Sequence, residues 1–325
     1  AMPKTAALGL RAALGDKPMC GGCGAKVGRA ALQQVLGDAF GDDAGMVQTG
    51  QVMTTDHLRA LVADPVLMTR IAAIHALGDI WAMGATPQAA TVQIILPRMS
   101  AELQQRTMAE ITATATAVMS KAGARIVGGH SALGDELTIG FTITGLVDRP
   151  ITQAGARPGD ALVLTKPIGS GTIMAGDMAG QARGADVIAC LDLMVQSQAA
   201  AAAILHAAHA MTDVTGFGLL GHLRGICDAS ATGAVLDWAQ VPVMAGAAAL
   251  SVRGVRSTLF ADNQTGAGMV GGTVPDLAFD PQTAGGLLAA VAADSAADLL
   301  RDLTEAGYTA AIIGQITDGA AISLR

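Results

Sequence analysis

Between positions 65 and 83 the apolar residues Leu67, Ile71, Ile74, Leu77 and Trp81 recur at three- and four-residue spacing, which predicts a long helix with a buried face. β-like runs flank it. Segment 51–55 reads as a short strand ending at Asp56, and 89–96 as another. A second amphipathic pattern over 102–122 stops at Gly123, in the C-cap position. Segments 125–127 and 137–147 read as strands on either side of a Gly128-Gly129-His130 turn. Segment 27–40 is helical in pattern, behind the glycine-dense loop MCGGCGAKVG at 19–28, where each Gly would cost a helix interior about 1 kcal/mol. Alternating strands and helices place the chain in the α/β (α+β) class.

The stretch DRPITQAGARPGD at 148–160 has the proline and glycine content of a connection. A domain boundary is expected there, and 325 residues at roughly 150 per domain agree with two units. The expected division is a flexible lead-in at 1–18, an N-terminal domain at 19–155 and a C-terminal α/β domain at 156–325. In the second domain a strand is expected at 161–165, helices near 171–180, 192–210 and 218–228, and further strands near 233–236, 286–292 and 310–316.

Composition removes several classes. Charged residues are 14% and AVILMFWYC residues 51%, which argues against disorder. No run approaches the ~20 uninterrupted apolar residues of a membrane span, so no membrane association is expected. A net charge of -7 and 2% aromatics give neither a basic stripe nor stacking platforms, so no nucleic-acid partner is expected. Four cysteines do not make a disulfide framework, and no signal peptide is read at the N-terminus, so the expected setting is cytoplasmic.

Carboxylates stand at the ends of apolar elements: Asp42 and Asp43 after a Gly, Asp56 in MTTD, Asp79 in HALGDIWAMG, Asp213 in MTDVTG and Asp280 in DPQTAGG. Two like charges about 4 Å apart repel by roughly 4 kcal/mol at an effective dielectric near 20, so any convergence requires a cation. Oxygen ligands favour Mg2+ held by carboxylates and substrate phosphates. Taken singly, each Asp reads first as an N-cap or turn former. Asp79 is the exception, because a carboxylate inside an apolar helix needs a partner.

Cys20 and Cys23 form a CxxC without a second ligand pair, which argues against zinc. A thiol near Lys26 can serve as a nucleophile or carrier, or be idle, and Lys26 can meet a phosphate as a point charge. The loop lacks the Gly-Lys-Ser/Thr of a Walker A motif. GFGLLG at 216–221 matches a dinucleotide fingerprint, with Asp237 beyond it, but 210–215 is too short and polar for the central strand that fingerprint needs. It reads more economically as a glycine turn that places Asp213 and opens a helix. His130 follows two glycines that allow close approach to a ligand. His57, His75, His206, His209 and His222 read as surface or satisfied core residues.

Together CGGCGAK (20–26), DDA (42–44), TTD (54–56), RIAAIHALGDIWAMGA (70–85), GGHS (128–131), MTDVTGFGLLGHL (211–223) and DPQTAGGLL (280–288) resemble the selenophosphate synthetase (selenide, water dikinase) family over nearly the whole chain. The resemblance implies a two-domain aminoimidazole ribonucleotide synthetase-like fold, with an N-terminal sheet that dimerises. It implies ATP-dependent conversion of selenide and water to selenophosphate, AMP and phosphate, supplying selenium for selenocysteine and selenouridine. Cys23 and Lys26 match the catalytic positions, and Asp43, Asp79 and Asp213 the Mg2+ carboxylates. Lys26, Asp42, Asp56, Asp79, Gly129, His130 and Ser131 match nucleotide contacts, and K+ is a second implied cation. Ala25 and Ala284 depart from residues common in the family, a Cys and a Ser. The CGGCGAKVG form is similar to versions fused behind an oxidoreductase domain, so a fused or separate oxidoreductase or selenium-delivery protein is an expected partner. The alternatives are another ATP-dependent synthetase or kinase of the superfamily, or a non-catalytic nucleotide-binding relative.

Overall fold

The structure, a computed structural model, describes residues 20–36 and 41–325. The lead-in expected over 1–18 lies outside the described residues, as does the end of the helix expected over 27–40. What is described of that helix is α1 (Arg29–Leu36).

A five-stranded sheet forms the first layer, in the order β1 (Gly45–Gln48), β2 (Gln51–Arg59), β5 (Thr138–Leu146), β3 (Thr86–Pro97), β4 (Arg125–Gly134). Behind it lies α2 (Pro65–Ala82), which starts where physics favours a start: Asp64 accepts hydrogen bonds from the Val66 and Leu67 amides at 2.8 and 3.3 Å, and Pro65 takes a first-turn position that needs no donor. α2 is buried on nearly every side from Met68 to Ala82, because it packs on β2 and β5 and also meets the second domain at β7 (Ala210–Asp213). The next helix, α3 (Ala101–Lys121), is amphipathic, capped by Ser100, and ends before Gly123 at φ +91°.

Two strand expectations need correction. β2 runs past Asp56 to Arg59, all of it paired antiparallel with β5. A mid-strand carboxylate is accommodated because successive strand residues face opposite sides, so Val52, Thr54, Asp56 and Leu58 share the side facing α2, where Asp56 finds partners. Gly128-Gly129-His130 is not a turn. It lies inside β4, which pairs parallel with β3, and parallel neighbours cannot be joined by a tight turn. Gly129 serves strand approach: a Cβ there would lie 2.4 Å from the Val92 carbonyl oxygen.

The second sheet is seven-stranded and mixed, in the order β7, β10 (Leu287–Val291), β6 (Ala161–Leu164), β11 (Ala311–Thr317), β8 (Gly233–Leu236), β12 (Ile322–Leu324), β9 (Val270–Gly271). Around it lie α4 (Ser170–Met178), α5 (Gly184–Met194), α6 (Ala199–Ile204), α7 (Gly218–Ser230), α8 (Ala247–Val252), α9 (Phe260–Gly266) and α10 (Ala296–Glu305). The helix expected over 192–210 is divided between α5 and α6, and Ala210 already begins β7. At the break the Thr165 hydroxyl hydrogen-bonds the Gln198 side chain and Ser197 Oγ accepts from the Ala199 amide, contacts that a uniformly alanine-rich run does not announce. No helix among the described residues is long and apolar enough to cross a membrane.

Candidate active site

β2 and α2 run past each other so that two strand residues meet two helix residues. Thr54 and Asp56, two apart on β2, face Asp79 and His75, four apart on α2. The repeats match, since two strand residues span about 6.8 Å and four helix residues about 6 Å. The Thr54 hydroxyl donates to Asp79, and His75 Nε2 lies 3.2 Å from Asp56 Oδ2.

Asp213, at the end of β7, comes in from the second domain. Gly78 makes this possible: a Cβ there would stand 2.6 Å from Asp213 Oδ2. Asp43, just ahead of β1, accepts from the Thr212 hydroxyl at 2.8 Å and the Gln153 amide at 3.4 Å through Oδ1, while its Oδ2 is buried with no partner. Asp42 accepts from the Gln153 backbone N–H at 2.7 Å. Burial pushes the Asp213 carboxyl up to about 8, with Asp43 adding to it. Burial likewise holds Asp43 and Asp79 well above the usual range, reinforced by Asp79 in the first case and by Asp213 and Asp56 in the second.

Ligand atoms of Asp43, Asp213 and His222 lie within 4.8 Å of one another. Hydrogen bonding takes His222 out of the donor set. Its Nε2 accepts from the Thr215 N–H at 3.0 Å, which leaves Nδ1 to donate to the Thr212 hydroxyl at 3.3 Å. Burial also holds its pKa well below the ordinary value, so it is a neutral, satisfied core residue. The remaining donors are oxygens, one of them an orphaned buried carboxylate oxygen. That donor set fits Mg2+.

The glycine loop supplies the opposite wall. It makes one 3-10 turn, Gly22–Ala25, closed by Lys26 N–H to Cys23 O at 3.1 Å. The Cys23 N–H donates to Thr283 Oγ1 at 3.3 Å, and Cys23 Sγ, on a residue 2% exposed, lies 3.4 Å from His75 Nε2. Lys26 Nζ is 3.9 Å from Asp56 Oδ1 and 5.5 Å from the Phe217 ring centre. Burial opposes the Lys26 charge, but Asp56 and the other anions outweigh it and hold the ammonium above its usual range. For Asp56 burial is outweighed by His75 and Lys26, which hold it below the usual range. For His75 burial is outweighed by Cys23 and Asp56, and its pKa is raised.

Two adjoining cavities result. One, of about 260 Å³, has Asp43, Asp56, Asp79, Asp213 and Lys26 in its walls. The other, of about 370 Å³, has Cys23, His75, Asp56 and Lys26. The structure therefore brings together Cys23, Lys26, Asp42, Asp43, Asp56, Asp79 and Asp213. It does not bring Gly129, His130 and Ser131 to them within one chain: these lie on β4, separated from β2 by β5 and β3, about 14 Å at ordinary strand spacing.

Asp280 also stays apart, buried against Thr172 at 2.8 Å and Gln282 at 3.0 Å, with burial pushing it up to about 6. The dinucleotide reading of 216–221 fails on topology, because β7 is an edge strand antiparallel to β10. Sequence reasoning missed His75 as a site residue. Its position four residues before Asp79 was the available signal. It also missed Arg29, 5% exposed and in the wall of the smaller cavity.

Residues 41–147 match the family described as AIR synthase related protein, N-terminal domain, and 157–325 match AIR synthase related protein, C-terminal domain. A selenide, water dikinase from Desulfitobacterium hafniense (strain Y51) is 36% identical over 331 residues, which cover 94% of this chain and 96% of that protein. One from Myxococcus xanthus (strain DK1622) is 34% identical over 343 residues, with 92% and 93% covered. Among solved structures, a chain of a HypE-HypF complex superimposes with a TM-score of 0.69 at 19% identity, covering 91% of this chain and 96% of that one. Thiamine-monophosphate kinase from Stenotrophomonas maltophilia K279a gives 0.68 at 19% identity, with 91% and 94% covered. These structures share the fold.

Proposed function

This chain belongs to the selenide, water dikinase family, and from that membership we propose how its own residues divide the work. It is an ATP-dependent phosphotransferase whose substrates are ATP, selenide and water and whose products are selenophosphate, AMP and phosphate. The observation that carries the residue assignment is the sharing of two adjoining cavities by the Cys23 sulfur, the Lys26 ammonium and the converging carboxylates.

In this reading Lys26 stays charged at neutral pH and anchors phosphate oxygens as a point charge. Asp43, Asp79 and Asp213 would hold Mg2+, which neutralises polyphosphate charge when bound. Asp42 and Asp56 face the nucleotide side, and Asp56 also balances Lys26 before ATP arrives. Cys23, on the selenide side, sits where a nearly enclosed sulfur meets few competing waters, which protects an activated phosphoryl species from hydrolysis.

The reading also includes a homodimer. Met53, Ile95 and Leu146 are exposed on the first sheet at 46%, 38% and 48%, which supports a second copy covering it. Gly129, His130 and Ser131 are kept as nucleotide contacts in that assembly. The division at 19–155 and 156–325, K+ as a second cation, a cytoplasmic setting and an oxidoreductase or delivery protein as selenium source complete it.

The test is AMP release together with phosphorus NMR of selenophosphate, with and without selenide. Wild-type protein is expected to form both products only with selenide. Activity retained in Cys23→Ser or Lys26→Ala would sink the corresponding assignment.

A further inference from the structure

His75 is 1% exposed, and none of the roles above uses it. Its ring is nonetheless held from three directions. Cys23 Sγ at 3.4 Å and Asp56 Oδ2 at 3.2 Å both face Nε2, and the Ala284 backbone N–H donates to Nδ1 at 3.3 Å. A nitrogen that accepts an amide hydrogen carries none of its own, so the proton of the neutral ring sits on Nε2. Ring protonation, which Cys23 and Asp56 favour, would add a hydrogen at Nδ1 that opposes the Ala284 N–H, so the Ala284 contact locks the neutral ring, and the Nε2 donor stays in place in both states. In either state the ring presents an N–H to the sulfur and the carboxylate, and Nε2 cannot take a proton from the thiol.

The loop that sets this tautomer is itself anchored. Lys166 Nζ donates to the Ala284 carbonyl at 2.9 Å, and the Thr283 N–H donates to Ser170 Oγ at 3.0 Å while Thr283 Oγ1 receives the Cys23 N–H. Ala284 stands at φ +49°, a left-handed conformation that costs a residue with a Cβ roughly 1–2 kcal/mol. The strained residue is the one whose amide points at Nδ1. DPQTAGG at 280–286 thus has a task that the carboxylate cluster leaves open: it grips the Cys loop through Thr283 and the histidine through Ala284.

We propose that His75 is a positioning residue for the selenium step, a hydrogen-bond donor locked in direction by Ala284 that aims the Cys23 sulfur into the cavity shared with Lys26. The proposal rests on the reading of Cys23 as the residue that serves selenide, and its test separates the two.

One measurement is the imidazole nitrogen NMR spectrum of histidine-labelled protein, assigned by loss of the His75 signals in His75→Gln. It is expected to show Nε2 protonated, and a bare Nε2 with the proton on Nδ1 overturns the proposal. The other is steady-state kinetics of selenide-dependent AMP formation. His75→Ala is expected to lose roughly tenfold or more in kcat, a larger factor than any rise in KM for ATP caused by loss of its contact with Asp56, as for an interaction that serves the reacting geometry more than nucleotide binding. His75→Gln, whose amide N–H reaches the same side, is expected to recover part of kcat. Wild-type kcat in His75→Ala overturns the proposal, as does wild-type kcat in His75→Leu, which keeps the bulk but has no donor, should the alanine variant not fold. Activity in Cys23→Ser would instead defeat the reading of Cys23, and the nitrogen spectrum would still decide what His75 does.

Discussion

Replacing Asp213 by Asn should make the metal-free protein more stable while disabling it. Asp213 is 3% exposed, and burial together with Asp43 lifts its carboxyl from the ordinary 3.8 to about 8. The sign follows from proton uptake. Between those values the folded state holds a proton that the unfolded chain releases, so the contribution of Asp213 to metal-free stability is most favourable at acid pH and falls as pH rises through that window. At 1.36 kcal/mol per unit the loss for an isolated group reaches about 4 kcal/mol by pH 7. Coulomb's law gives the same order, since two charges within 4.8 Å repel by about 3–4 kcal/mol at an effective dielectric near 20. Asn keeps the shape and never ionises. Urea unfolding with a chelator present should therefore show Asp213→Asn and wild type alike near ~pH 4, and the variant ahead by a few kcal/mol near ~pH 7.5. Adding Mg2+ and ATP should stabilise wild type strongly and the variant little, and the variant should release no AMP. A variant less stable than wild type at the higher pH, or a stability gap that does not change with pH, would refute the reasoning.

Gly78→Ala would place a Cβ 2.6 Å from Asp213 Oδ2. Displacing that carboxylate by about 1 Å should cost roughly a hundredfold in AMP formation with the circular dichroism spectrum unchanged. Asp64→Ala removes the cap of α2, which accepts from two amides, and should lower stability by about 1 kcal/mol, or roughly 1–2 °C in Tm, without changing kcat. Ala231 is exposed at the end of α7 with φ 51° and ψ 43°, so Ala231→Gly should relieve left-handed strain and raise stability by about 0.5–1 kcal/mol in the same melts.

The elements that sequence reading located well are those whose local signals agree with their tertiary setting. α2 has a capping Asp, a Pro in the first turn and a periodic apolar face, and it was expected over 65–83 against an observed Pro65–Ala82. Reading failed where tertiary pairing overrides a local cue. Gly128-Gly129 looks like a turn, yet it is a strand because β3 supplies a parallel partner and Val92 leaves no room for a side chain. Asp56 looks like a strand end, yet β5 continues to pair with β2 as far as Arg59. The chemistry divides in the same way. Asp79 drew attention because an apolar helix should not hold an unpaired carboxylate. That it meets Asp43 and Asp213 could not be read from spacing, since the three come from different elements, and it was reached through resemblance to a family. A lone histidine on an apolar helix resembles a core residue, and only the register of β2 against α2 distinguishes His75.

That register explains how a costly cluster can be tolerated. Thr54 to Asp79 and Asp56 to His75 are two rungs of one strand-to-helix ladder within the first domain, and the second domain touches that ladder through the Ala284 N–H on His75. Asp213 and the Thr212 hydroxyl on Asp43 arrive from β7, and Thr283 and Ala284 from the loop ahead of β10. The repulsive contacts and the contacts that hold Cys23 thus both cross from one domain to the other. Without a cation, the cost of burying Asp79 and Asp213 together, met by keeping them protonated, works against bringing the domains together, while the Cys23–Thr283 and His75–Ala284 hydrogen bonds work to keep them together. A cation among the carboxylates would reverse the first of these forces and leave the second unchanged. Loading the carboxylate cavity would therefore tighten the seat of the Cys23 sulfur in the neighbouring one, with Lys26 and Asp56 as their common wall.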